Sequence, residues 1–464
     1  MKKHFLVFII MVCLLFINIP FAYSQPIDNT NDVSITVEPL EELLPSPSLS
    51  AEGATVIEQK TGKVLYGKDE HKRLYPASTT KVLTGLLAIE LENLDDLVTV
   101  GDEVNMVAWD GSKAGLVQNE EITLENLVYG LLINSGNDAA NTIAVHIARK
   151  VSGKELGTQE AIDYFSGLMN ERAVKAGALD SNFVSPHGYH DPNHYTTAYD
   201  LAMIGRAAME HEFFRKVVAT QAMDTTYWST GQPRYWRSKD KLIKKDDPEY
   251  YEYATGGKTG YTSKAGQCLI SFASKDGLDL VSVVFKSATS QQWSDSRKLF
   301  GYSFSNFTYQ QVLQKGSIVE TLPVENFASD DWGSLAVEIA SDDQGAVFRK
   351  QDIPEIERTI QWDESLLAPN KDNTDFLPKL MAPIEQGQVI GELTIMLKGE
   401  VIAKSLLTAV RDVKKKTVID IIRPDLKGFN YVILILSILG ASILLRIIVL
   451  IINQKRRRNY MYRR

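Results

Sequence analysis

The apolar positions in the first two thirds of the chain switch between the period of a strand and the period of a helix. Ala54–Glu58 and Val64–Tyr66 predict two strands joined by a turn. Pro76 opens a predicted helix, because the apolar residues between Val82 and Leu91 keep helical spacing. Three further predicted helices have the same period: Leu124–Ile133, Ala139–Val151 and Tyr199–Met209.

Strands return after this helical middle. Gln267–Ala273 and Leu280–Phe285 predict a hairpin, since the Lys275-Asp276-Gly277 segment between them suits a tight turn. Strands that flank a group of helices indicate a mixed α/β domain with an antiparallel sheet. Beyond Leu313 short apolar runs alternate with turns and predict a small all-β domain: Ser317–Leu322, Leu335–Ile339, Val389–Leu397 and Val401–Leu407.

Two longer apolar segments lie at the ends of the chain. The first has a charged start, Lys2-Lys3, then a short apolar run and the sequence Ala22-Tyr23-Ser24, which predicts a cleaved secretory signal peptide. An uncleaved anchor helix is the alternative. Tyr431–Ile452 is 22 residues long, about 33 Å as a helix, and predicts a transmembrane span. The Lys455-Arg456-Arg457-Arg458 cluster after it is expected to stay cytoplasmic.

These features predict seven successive segments. They are a signal peptide (1–24), a linker (25–50), a large α/β domain (51–313), a small β-rich domain (314–415), a stalk (416–430), a transmembrane helix (431–452) and a cytoplasmic basic tail (453–464). The expected location is therefore the cell membrane, with a single span and with the large domain on the extracytoplasmic side.

Composition and charge narrow the function. Hydrophobic residues make up 44% and charged residues 23% of the chain, which is enough apolar material for sizeable cores. The net charge of −8 is spread over mixed signs, so no nucleic-acid partner is expected. The two cysteines are Cys13, inside the predicted signal peptide, and Cys268. A secreted chain with one thiol has no internal disulfide, and its stability must come from packing.

The first candidate for chemistry is the segment Ser78-Thr79-Thr80-Lys81, at the start of a predicted helix. A spacing of three places the hydroxyl and the amine on one helix face, one turn apart. A serine hydroxyl needs an adjacent base, and lysine is a base only when it is neutral. Burial and a second nearby cation would lower its pKa towards 7. The pair is a weak signal alone, because Ser238 and Lys241 have the same spacing.

Two further motifs give the pair its context. Ser135-Gly136-Asn137 falls between two predicted helices, where a helix-capping loop is the alternative interpretation. Lys258-Thr259-Gly260 precedes a predicted strand, and Lys60-Thr61-Gly62 is a second copy of that motif in a plain hairpin turn. The order Ser-x-x-Lys, Ser-x-Asn, Lys-Thr-Gly is that of β-lactamases and penicillin-binding proteins.

The chain resembles the low-molecular-mass penicillin-binding proteins, which are serine-type D-alanyl-D-alanine carboxypeptidases. The resemblance covers residues 45–312 and includes segments beyond the three motifs: 61–66, 76–81, 135–140, 194–200 and 257–262. The stretch Ala382-Pro383-Ile384 to Gln388 is similar to the β-rich second domain of the family. The resemblance implies a penicillin-binding/β-lactamase-like catalytic domain with helices and an antiparallel sheet, followed by the small all-β domain and the C-terminal transmembrane helix.

The resemblance also implies roles for the motif residues. Ser78 would form the acyl-enzyme, Lys81 would accept its proton, and Ser135 would relay that proton to the leaving D-alanine. The implied substrate-binding residues are Asn137, Lys258, Thr259, Gly260 and Tyr261, and the backbone N–H groups of Ser78 and Tyr261 would form the oxyanion hole. The implied partners are peptidoglycan stem peptides as substrates, β-lactam antibiotics as inhibitors and the membrane through the C-terminal helix; no cofactor and no metal are expected.

Two segments depart from the family pattern. An asparagine-rich stretch often leads to the Lys-Thr-Gly strand, but this chain has Trp236-Arg237-Ser238-Lys239-Asp240-Lys241-Leu242. An arginine commonly follows the next strand, near Gln291 and Gln292 here. The second departure bears on how the terminal carboxylate of the substrate is bound.

Several other functions compete with this hypothesis. His187, His190 and His194 lie within eight residues but in a Pro-, Gly- and Asn-rich segment, so a loop near the active site is favoured over a zinc site. A β-lactamase would need a Glu-x-x-Leu-Asn run after Ser135, and the chain has none. A D,D-endopeptidase of cross-linked peptidoglycan and a catalytically retired muropeptide-binding module remain as alternatives.

Overall fold

A computed structural model describes residues 43–226, 231, 233–369, 377–418, 420 and 431–461. The predicted signal peptide, most of the predicted linker and most of the predicted stalk lie outside the described residues.

The helices fall into a group before the Lys-Thr-Gly motif, one helix after the hairpin, and one C-terminal helix. Their bounds are α1 Lys81–Leu91, α2 Leu124–Leu132, α3 Asn137–Ser152, α4 Thr158–Lys175, α5 Ala198–Met209, α6 Glu212–Ala219, α7 Gln292–Asn306 and α8 Tyr431–Met461. A short 3₁₀ turn, Ala77–Thr80, leads directly into α1. The four predicted helices correspond to α1, α2, α3 and α5 and are confirmed.

The strands form one sheet in the large domain and another in the C-terminal part. Their bounds are β1 Gly53–Glu58, β2 Val64–Lys68, β3 Leu97–Thr99, β4 Glu121–Thr123, β5 Ala222–Thr226, β6 Pro233–Arg237, β7 Ala254–Thr262, β8 Gly266–Lys275, β9 Leu278–Ser287, β10 Phe307–Leu313, β11 Ile318–Glu325, β12 Ser334–Ile339, β13 Gln344–Arg349, β14 Ile356–Trp362, β15 Leu380–Met381, β16 Val389–Leu397 and β17 Glu400–Ala409. The first sheet has the order β2-β1-β9-β8-β7 and is antiparallel throughout, as predicted.

Both faces of the five-stranded sheet are covered. Ile270 and Phe272 of β8 belong to the core formed with α1 to α6, whereas Leu269 and Ala273 belong to the core formed with α7. Because side chains alternate between the faces of a strand, a strand covered on both sides is apolar along its whole length. This sandwich leaves β7 as the edge strand on the side of the Lys-Thr-Gly motif.

The C-terminal part has its own hydrophobic core. Its six-stranded sheet has the order β14-β16-β17-β12-β11-β15, and Leu335, Val337 and Leu407 are fully buried within it. The separate two-stranded ribbon β10–β13 reaches back to the large domain, where Val347 accepts a hydrogen bond from Lys63 at 2.8 Å. The prediction of a small all-β domain is confirmed.

Two long helices were not predicted from the sequence. Helix α7 has a largely polar sequence, yet Asp295, Ser296 and Ser303 are fully buried in it. The Asp295 carboxylate accepts hydrogen bonds from the backbone N–H groups of Ser50 and Ala51, both at 3.0 Å. Buried polar groups that are bonded in this way remove the apolar period by which a helix is recognised. Helix α4 was missed although its buried residues Ile162, Phe165 and Met169 keep helical spacing.

The C-terminal helix α8 contains one segment, Ile435–Ile452, that is long and apolar enough to cross a membrane. Its side chains are exposed along the whole segment and do not pack on the two domains. It lies within the predicted span 431–452.

Candidate active site

Ser78 lies on the 3₁₀ turn that precedes α1. The residue before it, Ala77, has a φ of 49°, a conformation that L-residues rarely adopt. The backbone of Gly188 passes so close to this turn that a Cβ there would lie 1.9 Å from the carbonyl oxygen of Ala77. The 186–190 loop therefore clamps the turn and holds Ser78 at the mouth of a cavity.

Lys81 is fully buried one turn after Ser78. Its Nζ lies 3.0 Å from Ser78 Oγ, and it donates hydrogen bonds to Asn137 Oδ1 at 2.7 Å and to the carbonyl oxygen of His187 at 2.9 Å. Burial, with the charges of Lys258 and Lys239, holds the pKa of Lys81 well below its usual range. A neutral amine has two N–H bonds and one lone pair. With both N–H groups bonded to oxygens, the lone pair is left to face Ser78.

Asn137 and Ser135 lie on the loop that joins α2 to α3. Ser135 has a φ of 64° and is almost fully buried. The loop is fixed by the next residue, Asp138, whose carboxylate accepts the backbone N–H groups of Ala114 at 2.7 Å and Gly115 at 2.8 Å. This buried carboxylate binds the 112–116 segment to the start of α3 and so positions Asn137 beside Lys81.

Lys258 extends from the edge strand β7 to the same loop. It is 2% exposed and donates hydrogen bonds to Ser135 Oγ at 2.9 Å and to the carbonyl oxygen of Thr259 at 2.8 Å. Burial, together with the charge of Lys239, lowers the pKa of Lys258 to about 7. Each of the two active-site serines is thus hydrogen-bonded to a buried lysine amine. Ser78 is paired with Lys81, and Ser135 with Lys258.

Gly260 brings β7 against the turn that carries the nucleophile. A Cβ at this position would lie 2.8 Å from the carbonyl oxygen of Pro76 and 3.0 Å from the backbone nitrogen of Ser78. Such a contact requires a residue without a side chain. The close approach therefore packs β7 directly against the backbone of Ser78.

These residues line one cavity of about 680 Å³. Its lining includes six of the eight residues predicted from the sequence: Ser78, Ser135, Asn137, Thr259, Gly260 and Tyr261. Lys81 and Lys258 lie behind that wall, with their amines bonded to lining residues. The second copies of the motifs lie elsewhere: Ser238 Oγ accepts the backbone N–H of Asp240 at 3.1 Å, and Thr61 is part of the β1–β2 turn.

Sequence reasoning did not single out Lys239 as a site residue. Lys239 lines the cavity and donates to Ser112 Oγ at 3.1 Å. The only signal in the sequence was the departure from the family pattern at 236–242. Of the two residues near which the arginine was expected, Gln292 lines the cavity and donates to Gln267 Oε1 at 3.1 Å.

Two of the three neighbouring histidines, His187 and His194, support the active-site loop. The carbonyl oxygen of His187 bonds to Lys81, as described above, and His194 Nδ1 accepts the backbone N–H of Val184 at 3.1 Å. His194 Nε2 therefore carries the proton that is donated to Thr80 Oγ1 at 2.8 Å. Burial lowers the pKa of His194 to about 4, so the ring is neutral at pH 7.

One group of side chains in the described part of the chain has the composition of a metal site. It consists of Glu92, Asp96 and His146, none of which lines the cavity. The ammonium of Lys150 lies 2.6 Å from the Glu92 carboxylate and 2.5 Å from the Asp96 carboxylate. This lysine already supplies the positive charge between the two acids.

Comparison with known proteins identifies relatives for both the large domain and the β-rich domain. The peptidase S11 family, described as D-alanyl-D-alanine carboxypeptidase, matches residues 41–289, and the C-terminal domain of penicillin-binding protein 5 matches residues 307–415. The D-alanyl-D-alanine carboxypeptidase DacF of Bacillus subtilis is 29% identical over 372 residues, which are 79% of this chain and 86% of the relative. The D-alanyl-D-alanine carboxypeptidase of Streptomyces sp. (strain K15) is 31% identical over 268 residues, 56% of this chain and 89% of that one.

A solved structure resembles this chain in its fold as well as in its sequence. The crystal structure of penicillin binding protein 5 from Haemophilus influenzae superposes with a TM-score of 0.58 and 27% identity, covering 80% of this chain and all of the other. The match to the S11 family spans more than half of the chain and includes the Ser78, Ser135 and Lys258 motifs. The chain therefore belongs to the peptidase S11 family, the serine-type D-alanyl-D-alanine carboxypeptidases.

Proposed function

We propose that the protein removes the terminal D-alanine from peptidoglycan stem pentapeptides through an acyl-enzyme on Ser78. The observation that carries this proposal is the buried Lys81 amine, 3.0 Å from Ser78 Oγ, with both of its N–H groups bonded elsewhere. A neutral lysine in that position is a general base for a serine nucleophile.

Acylation follows from this arrangement. Lys81 takes the proton of Ser78 as Oγ attacks the carbonyl carbon between the two D-alanines. The negative charge that develops on the carbonyl oxygen is stabilised by the backbone N–H groups of Ser78 and Tyr261. When the tetrahedral intermediate collapses, the C–N bond breaks and the leaving amine takes a proton through Ser135. Lys81 is then neutral again and can remove a proton from the water that hydrolyses the ester.

The substrate is anchored at both sides of the scissile bond. Lys258 and the Thr259 hydroxyl bind the terminal carboxylate, and Lys239 adds a second positive charge to that end of the cavity. Asn137 binds an amide of the stem through its Nδ2, since its Oδ1 is bonded to Lys81. β-Lactams, which carry a carboxylate next to a reactive carbonyl, bind in the same place and acylate Ser78.

The proposal includes the location of the enzyme. A cleaved signal peptide at 1–24 and a span at 431–452 place residues 25–428 on the extracytoplasmic side, where peptidoglycan lies. The catalytic domain then comprises residues 51–313, and the β-rich domain at 314–415 separates it from the membrane. The apolar segment Ile435–Ile452 supports the span.

The first test is covalent labelling of the full-length protein in detergent with a labelled penicillin. We expect a stable adduct on the wild type and none on Ser78→Ala. Ser238→Ala is the matched control, because Ser238 has the same Ser-x-x-Lys spacing but lies outside the cavity, and it should label like the wild type. An adduct that survives in Ser78→Ala would refute the assignment of the nucleophile.

The second test concerns the reaction. Incubation with a stem pentapeptide should release D-alanine, and incubation with a cross-linked muropeptide should release little monomer. Cleavage of the cross-link alone would make the protein an endopeptidase. Labelling by penicillin without any hydrolysis of either substrate would indicate a binding module.

A further inference from the structure

A second, smaller cleft adjoins the catalytic cavity. It has a volume of about 240 Å³, and every charged residue in its lining is a cation: Arg73, Lys264 and Lys286. Lys264 lines both this cleft and the catalytic cavity, so the two are neighbours. We call this feature the cationic cleft.

Two of the three cations of the cationic cleft are paired with a carboxylate, and the third is not. Arg73 lies 3.0 Å from Asp180, and Lys286 lies 2.6 Å from Glu52. Lys264 has no acidic side chain within 4.0 Å among the residues that the structure describes. The cleft therefore keeps positive charge for a ligand, and Lys264, at the junction with the catalytic cavity, is the residue best placed to use it.

The backbone around the cleft is held in an unusual conformation. Lys286 has a φ of 51° near the end of β9, although it is not a glycine. Opposite it, the pairing of β8 and β9 shifts register between Gln267 and Leu269. Residues are kept in such conformations only where the surrounding structure imposes them, and these positions cluster at functional sites.

The direction of the substrate follows from the order of residues along β7. Under the proposed function, on which this step rests, the terminal carboxylate lies at Lys258 and Thr259 and the scissile carbonyl lies at Tyr261. The acyl part of the stem then continues in the same direction, past Thr262 towards Lys264. β7 ends at Thr262, and Lys264 lies in the turn that leads to β8. Two residues of extended stem cover about 7 Å, so the Lys264 side chain at this turn can reach a group about two residues upstream of the scissile bond.

We propose that the cationic cleft is a second substrate subsite, which binds a carboxylate in the acyl part of the stem peptide. A carboxylate fits this site because Lys264 and the neighbouring cations offer N–H donors together with positive charge. The subsite makes the enzyme prefer stems that carry an acidic group upstream of the two D-alanines.

The test uses two synthetic peptides that end in D-alanyl-D-alanine. They differ at one side chain, two residues upstream of the scissile bond, which is a carboxylate in one and the matching carboxamide in the other. The full-length wild type in detergent should have a kcat/KM about fivefold higher for the carboxylate peptide, as a partly exposed ion pair provides. The preference should decrease with added salt.

Lys264→Gln should reduce the preference to about one, mainly through a lower kcat/KM for the carboxylate peptide. Lys245→Gln removes a lysine from an exposed loop away from both cavities and should keep the preference. An equal loss on both peptides in Lys264→Gln, or an unchanged preference, would overturn the subsite. If the wild type hydrolysed neither peptide, the proposed carboxypeptidase function itself would fail, which is a different result.

Discussion

Asp240 is a buried carboxylate, and the hydrogen bonds that it makes in the fold replace only part of its lost hydration. It is 2% exposed; Oδ1 accepts the backbone N–H of Leu242 at 3.0 Å, whereas Oδ2 has no hydrogen-bond partner among the described residues. Burial raises the pKa of Asp240 from 3.8 to about 6. Its oxygen lies beside Gly257, where a Cβ would be 2.7 Å away, so it is next to the strand that carries Lys258.

The raised pKa of Asp240 makes the stability of the folded protein depend on pH. Since the folded state binds the proton more tightly than the unfolded state, the free energy of unfolding falls as the pH rises from about 4 to about 6. A shift of about two pH units corresponds to about 3 kcal/mol. Asn has the same shape, keeps an oxygen for Leu242 and does not ionise. Asp240→Asn should therefore lack this loss, and its stability relative to the wild type should increase by about 2 kcal/mol between pH 4 and pH 6.5, because part of the full effect lies below pH 4.

The assay is urea unfolding of the detergent-solubilised protein, followed by tryptophan fluorescence at pH 4, 5, 6 and 6.5. Asp246→Asn is the control, because it removes a carboxylate from an exposed position of the same loop and should show no such trend. If the difference between Asp240→Asn and the wild type stayed constant over this pH range, Asp240 would not be the buried, destabilising charge described here.

Two further predictions concern the catalytic cavity. Lys81→Ala should stay folded by circular dichroism but acylate with penicillin about 10²–10⁴-fold more slowly, because the base is lost; an unchanged rate would refute that role. Gly260→Ala should slow acylation by about 10²-fold, since the added Cβ would displace β7 from Pro76 and the N–H of Ser78. Gly157→Ala is its control, as a Cβ there meets nothing within 4 Å, and stopped-flow labelling measures both variants.

The sequence alone determined the local elements and the chemistry of the motifs. The helical segment after Pro76 and the β8–β9 hairpin around Lys275-Asp276-Gly277 could be predicted, because period and turn residues act over a few neighbouring positions. That the first turn of this segment, Ala77–Thr80, is a 3₁₀ turn and that α1 begins only at Lys81 could not. The set of Ser78, Ser135 and Lys258 motifs identified the family, since function depends on which residue types occur together. The same reasoning missed α7, whose buried polar residues hide its period.

Only the tertiary structure decided how the motifs meet. Lys258 reaches Ser135 across 123 residues of chain, and Lys81 reaches Asn137 across 56. These contacts exist because β7 is the edge strand of the five-stranded sheet, which packs against helices α1 to α6. That packing depends on the hydrophobic cores on both faces of the sheet. The lowered pKa of Lys81 and the raised pKa of Asp240 come from burial, which no local pattern contains. The sequence names the residues of the site, and long-range packing gives them their distances and charges.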